Sequence, residues 1–164
     1  QEEPRGLADA FIVGEHFIGN GPVCMILGDN IFDFDFSESI KNFKSGAKIF
    51  AKQVHDPERS GVIEFDENKK AISIEEKPKN PKSNYAVVGM YLFDNKVVEI
   101  AKSLKPSPRG EIEITDITNH YLQAGELSVD VLEGIWEDAG TFDSLLRVNN
   151  YWAEKAKKTK VTSQ

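Results

Sequence analysis

Five apolar residues, Val23 to Leu27, run without a break into Gly28, Asp29 and Asn30, so V-C-M-I-L-G-D-N passes from a hydrophobic run to an acid within one turn. A continuous run of this length suits a strand covered on both faces, as in a sheet flanked by helices, more than a strand with one wet face. Gly28 lets the chain leave the sheet. Asp29 and Asn30 then fall at the carboxyl end of the strand, where open α/β sheets place their ligands. Cys24 lies inside the run and reads as a small core residue. As the only cysteine it excludes an internal disulfide, which suits a cytoplasmic protein.

The rest of the chain alternates around this strand. A helix is expected over 7–14, with Leu7, Ala10, Phe11 and Gly14 on one face, before the turn Gly19-Asn20-Gly21-Pro22. A second helix is expected over 34–44, with Ser37 as its N-cap and Ile40 and Phe43 facing inward. Strands follow at 47–54 and, as a hairpin, at 62–65 and 71–74; Pro78 and Pro81 make 75–82 an exposed connection. The longest strand is 84–93. Helices at 95–104 and 112–124, a strand at 127–132, a loop at 136–141 and a closing helix over 142–157 complete the order. Alternating strands and helices argue for an α/β layered sheet in one domain covering residues 1–164.

Charge narrows the partners. Twenty Lys and Arg against 27 Asp and Glu give a formal net charge of -7, which disfavours nucleic acid or an anionic membrane as the main partner. A small phosphorylated ligand needs only a local cluster of cations. No apolar run is long enough to cross a bilayer.

Several residues could carry chemistry, each beside a plainer role. Gly28-Asp29-Asn30 reads as a turn or as a metal-ligating carboxylate, and Asp138 in W-E-D-A-G-T as a turn or helix cap, with Thr141 the cap proper, or as a second such carboxylate. Two carboxylates converging from separate loops would suit magnesium, which takes one or two carboxylates together with phosphate oxygens. Glu75-Glu76-Lys77-Pro78 is either solvated surface or a pair dividing a sugar phosphate, the acid accepting from hydroxyls and the ammonium meeting the phosphate. Arg109, in S-P-R-G-E-I-E-I-T-D, precedes a helix, a usual place for phosphate; the plainer reading is a helix start with Glu111 and Glu113 favoured by the dipole. His16, His55 and His120 lack metal-ligand spacing.

The order of motifs is more specific than any one of them. Q-x-x-P-R-G-L-A-D-A-F, L-G-D-N, D-P-E-R-S-G-V, E-E-K-P-K-x-P-K-S-N-Y-A-V-x-G-x-Y, P-S-P-R-G-E-x-E-I-T-D and W-x-D-A-G-T follow one another along nearly the whole chain. In this order they closely resemble the sugar-1-phosphate nucleotidyltransferases, and within them the branch that transfers a thymidylyl group to glucose 1-phosphate. The fold implied is a three-layer α/β sandwich, Rossmann-like, with a mostly parallel mixed sheet. The reaction implied is attack of the glucose 1-phosphate oxygen on the α-phosphorus of dTTP, releasing pyrophosphate, by positioning and charge neutralisation. By the resemblance Gln1 and Gly6 contact the base and Asp29 and Asp138 hold Mg2+. Gly61, Glu76 and Val87 line the sugar pocket, Lys77 and Arg109 meet the sugar phosphate, and Asp29, Lys77 and Arg109 carry catalysis.

Two departures stand out. Ser60 replaces the aromatic residue the family shows before its glycine, so a sugar contact is altered. The glycine-rich G-x-G-T-R-L type loop on the family's first strand is not in the chain, which opens at Gln1 without a methionine and is expected to be an N-terminally truncated piece of a longer enzyme. Weak or absent catalysis is expected of the 164 residues alone. Other readings are a related transferase using UTP or CTP, a non-catalytic binding subunit, or a structural fragment. Open strand edges and a lysine-rich tail make a homo-oligomer the expected state.

Overall fold

A computed structural model describes residue 1 and residues 3–161. In chain order the elements are α1 (Asp9–Val13), α2 (Glu15–Ile18), β1 (Val23–Ile26), β2 (Asn30–Phe32), α3 (Ser37–Asn42), β3 (Ala47–Gln53), β4 (Gly61–Phe65), β5 (Ala71–Glu76), β6 (Tyr85–Phe93), α4 (Lys96–Ser103), α5 (Ile114–Gln123), β7 (Leu127–Val131), β8 (Trp136–Asp138) and α6 (Phe142–Val161). Among the described residues no helix is long and apolar enough to cross a membrane.

The sheet is built around β6, the run richest in Val, Tyr, Phe and Leu. Along one edge it pairs antiparallel with β3, which pairs parallel with β7 on its far side. Its other edge is shared: β1 takes residues 90–93 and β4 takes 85–86, with β5 beyond β4. Val87 and Gly89, between these two partners, line a cleft. A separate antiparallel ladder joins β2 to β8.

Alternation along β6 sorts the core into two layers. Tyr91 and Phe93 face the helical side with Ala8, Phe11, Ile49, Val97, Ile117 and Tyr121. Val88, Met90 and Leu92 face the opposite side, against Phe50 and Leu132, and Phe32, Phe36 and Trp136 pack over them. The edge-on contact of Phe36 with Phe50, ring centroids 4.8 Å apart, ties the β2 region onto the sheet.

The α/β architecture, the mixed sheet, the hairpin and the long central strand agree with the sequence. The expected mostly parallel sheet does not: among the described residues β3 with β7 is the one parallel pair. β6 runs against its partners and lies between β1 and β3, so those two strands, parallel to one another, never touch. Nor is β1 covered on both faces. Its burial alternates, and Cys24 and Ile26 are exposed because no described element lies over them. Cys24 is therefore not a core residue, although partial burial beside Met90 still pushes its thiol pKa up.

The helices differ at their ends. The expected 7–14 helix is two short pieces either side of Gly14, and the buried set is Ala8, Asp9 and Phe11, with Leu7 and Ala10 exposed. The reason is the entry: Ile112 N–H donates to Arg5 O and Ala8 N–H to Ile112 O, which rotates Ala8 rather than Leu7 toward the core. That pairing also holds Ile112 out of α5, which starts at Ile114. Ser37 is no cap; Asp35 Oδ1 accepts from its N–H at 2.9 Å, and Ile40 stays exposed. β5 extends to Glu76 and Pro78 is buried, so the expected exposed connection is shorter. Inside the expected 136–141 loop lies β8. Three residues are too few for a periodic signal, and the strand exists through its pairing with β2.

Candidate functional site

The cleft opens where β6 changes partner. Gly61 starts β4 opposite Glu76, the last residue of β5, and Val87 of β6 completes this floor. A Cβ built on Gly61 would lie 3.3 Å from Thr115 Oγ1, 3.4 Å from Glu76 Oε2 and 3.5 Å from Val87 Cγ2, so these groups converge on one point. Thr115 Oγ1 donates to Glu76 Oε2 and fixes that carboxylate, leaving Oε1 toward Arg109. Ser60 lines the same cleft and accepts the Lys77 N–H on its carbonyl at 3.1 Å.

Lys77 has φ of 42°, a left-handed conformation rare outside glycine. Such strain costs on the order of 1 kcal/mol and collects where geometry serves a site. Here it turns the chain out of β5, and Lys77 stands at the cleft with no ion pair among the described residues. Arg109 is the opposite case. Its guanidinium meets Glu76 at 3.4 Å, Glu111 at 3.2 Å and Glu113 at 3.5 Å, and Ser107 Oγ donates to Glu113 at 2.8 Å. Arg109 is not at the helix start where the sequence placed it; it lies in a separate turn closed by Ser107 N–H to Glu111 O, five residues before Ile114. Tyr91, buried behind the cleft, has its phenol pKa pushed well above the usual value by burial and by Glu76.

Asp29 and Asp138 come together through the β2–β8 ladder. Asn30 pairs with Asp138 across it, and Ala139 N–H donates to Asp29 O at 2.7 Å. A Cβ on Gly140 would lie 2.9 Å from Asp138 Oδ1 and 3.5 Å from Asp29 Oδ2, so one oxygen of each carboxylate lies beside Gly140, whose N–H donates to Asp138 Oδ1 at 2.9 Å. Both side chains are exposed. Two hard carboxylate oxygens at one exposed point fit magnesium, which keeps most of its shell from water and phosphate. Among the described residues no group of three or more His, Cys, Asp or Glu gathers to enclose a metal, so the pair could hold a cation only with outside ligands.

Gln1 and Gly6 lie apart from this floor. Gln1 Nε2 donates to Gly6 O at 3.1 Å and to buried Asp9 Oδ2 at 2.9 Å, and Gln1 borders a separate hollow with Arg5 and Val13. Gly6, at φ of 102°, lies so close to Ile112 that a Cβ would be 2.5 Å from its carbonyl oxygen. The next residue, Leu7, reaches the cleft wall.

A family profile described as Nucleotidyl transferase matches residues 1–155. The chain belongs to this family. Among similar nucleotidyl transferases, a glucose-1-phosphate thymidylyltransferase of Neisseria gonorrhoeae is 56% identical over 151 residues, covering 88% of this chain and 52% of the relative. One of Mycolicibacterium smegmatis is 52% identical over 156 residues, covering 92% of this chain and 54% of its own. A Bacillus anthracis protein assigned as a glucose-1-phosphate thymidylyltransferase and solved with sucrose superposes with a TM-score of 0.81 at 52% identity, covering 89% of this chain and 60% of that one. A UDP-glucose pyrophosphorylase solved with UDP-glucose shares the fold, with a TM-score of 0.82 at 24% identity over 94% of this chain and 64% of that one. The chain thus spans about half the length of the curated relatives it matches.

Four residues that shape this nucleotidyl transferase cleft were given no role from sequence, although Asn30 was placed beside Asp29 at the strand end. Asn30, Gly89, Thr115 and Trp136 all bear directly on its geometry. Each lies inside or beside a quoted motif, yet only the paired β2 and β8 strands and the β6 edge reveal what they touch.

Proposed function

We propose that the protein containing this chain transfers a thymidylyl group from dTTP to glucose 1-phosphate, forming dTDP-glucose and pyrophosphate, and that this chain carries the sugar-phosphate side of the site. The observation that carries the reading is the convergence of Asp29 and Asp138 beside a cleft walled by Glu76, Lys77 and Arg109, in a chain more than half identical to proteins named for that activity. Sugar hydroxyls are accepted by Glu76 over the floor of Gly61 and Val87. The sugar phosphate is met by Lys77, whose ammonium has no ion-pair partner among the described residues, and by Arg109, which exchanges part of its carboxylate cage for phosphate oxygens. Gln1 and Gly6 serve the thymine.

Held so, the phosphate oxygen of glucose 1-phosphate faces the α-phosphorus; its O–P bond forms as the α–β bridging bond breaks and pyrophosphate leaves. The nucleophile is already an anion, so no side chain need take a proton. Mg2+, held by Asp29 and Asp138, would supply charge neutralisation on the phosphates when bound. The work of the chain's own residues is orientation and cationic stabilisation. A cytoplasmic location and a homo-oligomer are part of the same reading.

The test is pyrophosphate release by the full-length protein with dTTP, glucose 1-phosphate and Mg2+. Turnover is expected, with Asp29→Asn lowering kcat by at least about 100-fold, the scale on which lost electrostatic stabilisation is felt. No turnover with any nucleoside triphosphate, or an Asp29→Asn protein as active as the parent, would overturn the proposal.

A further inference from the structure

Asn30 is nearly buried, with 9% of its surface exposed, and its side-chain amide bonds to three other parts of the site. Oδ1 accepts the Gly89 N–H at 2.9 Å and the Trp136 indole N–H at 2.6 Å; Nδ2 donates to Asp29 Oδ1 at 2.9 Å. Two donors against the oxygen and a carboxylate against the nitrogen leave one amide orientation that satisfies all three partners. The three partners come from three places: the β6 edge, β8 and the Asp29 turn. Gly89 leaves the room for this, since a Cβ there would lie 2.6 Å from Asn30 Oδ1.

A turn carboxylate without such a tether would rotate freely in water. With one oxygen of Asp29 engaged by Asn30, the other is left toward the space at Gly140 that it shares with Asp138. Metal-ligating carboxylates are held in this way by outer hydrogen bonds, whose loss commonly weakens metal binding 10- to 100-fold. We infer that Asn30 is the positioning residue of the divalent-cation site, transmitting the placement of β6 and of the Trp136 indole to the Asp29 carboxylate. The inference rests on the reading that Asp29 is a metal ligand, and it goes beyond that reading by naming what aims it.

The experiment is a titration of the full-length protein with Mn2+ alone, followed by water-proton relaxation, with folding checked by urea denaturation. The parent and Asp29→Asn proteins are measured first. A parent that binds no Mn2+, or an Asp29→Asn protein that binds it equally well, overturns the metal reading itself. With that reading intact, Asn30→Ala is expected to weaken Mn2+ binding by about tenfold or more. Trp136→Phe, which removes the indole donor and leaves a smaller aromatic ring in its place, is expected to weaken it in the parent and to have no further effect on Asn30→Ala. Mn2+ affinity of Asn30→Ala within twofold of the parent, or equal effects of Trp136→Phe in both backgrounds, would overturn the inference. Should Asn30→Ala fail to fold, Trp136→Phe decides alone: weaker binding supports the tether, unchanged binding refutes it.

Discussion

Gly61→Ala puts one methyl on the cleft floor and separates the ligand role of that floor from its structural one. Gly61 is not held in a left-handed conformation, so its backbone accepts alanine. The added Cβ would meet Thr115 Oγ1 at 3.3 Å and lie at ordinary contact distance from Glu76 Oε2 and Val87 Cγ2. Only the threonine hydroxyl must yield, by a few tenths of an ångström. Against that small strain, alanine narrows the unfolded ensemble by about 0.4–1 kcal/mol, so folding stability should stay within about 1 kcal/mol of the parent. The ligand meets the same methyl differently. If sugar atoms rest on Gly61, overpacking costs about 1–3 kcal/mol, or about 5- to 140-fold in affinity. Urea denaturation and calorimetric titration of the full-length protein with glucose 1-phosphate read the two quantities separately. Unchanged affinity would refute the placement of the sugar on this floor. A stability loss beyond about 3 kcal/mol would show instead that the packing at Gly61 has been misjudged.

Gly140→Ala should leave folding stability unchanged, because the position is exposed, yet lower Mn2+ affinity by about tenfold as its Cβ presses on Asp138 Oδ1 2.9 Å away; equal Mn2+ binding would contradict a cation between the two carboxylates. Asp116, whose carboxyl pKa is raised first by burial and then by Glu113, binds its proton more tightly folded than unfolded, so it disfavours the fold increasingly as pH rises above 3.8. Asp116→Asn should therefore raise the melting temperature at pH 7 and not below pH 3.8, and a gain that persists in acid would refute this cause. Asp33 is shifted the other way, its pKa lowered by hydrogen bonds from Lys155 and Tyr151 of α6, so its contribution is present above pH 3.8 and lost as pH falls through its folded value. Trp152 fluorescence should report an acid loosening of α6 that disappears in Asp33→Asn; a step of equal size in both proteins would exclude Asp33 as the anchor.

What was legible in the sequence was local. The hairpin of β4 and β5, the length of β6 and the helical spans of α4 and α5 follow from alternation, turn residues and prolines acting within a dozen positions. The direction of pairing was not legible, because a strand covered on both faces reads the same whether its neighbours run parallel or antiparallel. Exposure of Cys24 was hidden for a related reason: apolar residues state what could be covered, and whether anything covers them is a property of the assembled sheet.

The candidate site divides along the same line. Glu76, Lys77 and Arg109 stand near strand ends and turns that could be placed by inspection, and all three reach one cleft. Asp29 and Asp138 were visible one at a time, but their meeting depends on β2 and β8, three residues each, far apart in the chain and too short to announce themselves. Asn30 is the extreme case. As the last letter of L-G-D-N it looks like turn chemistry, since asparagine is favoured in turns for its own local bonds. Its actual partners lie 59 and 106 residues away, with only Asp29 adjacent. A residue whose role is to relate three distant parts leaves no local pattern, and its importance can be read only after those parts have been brought together.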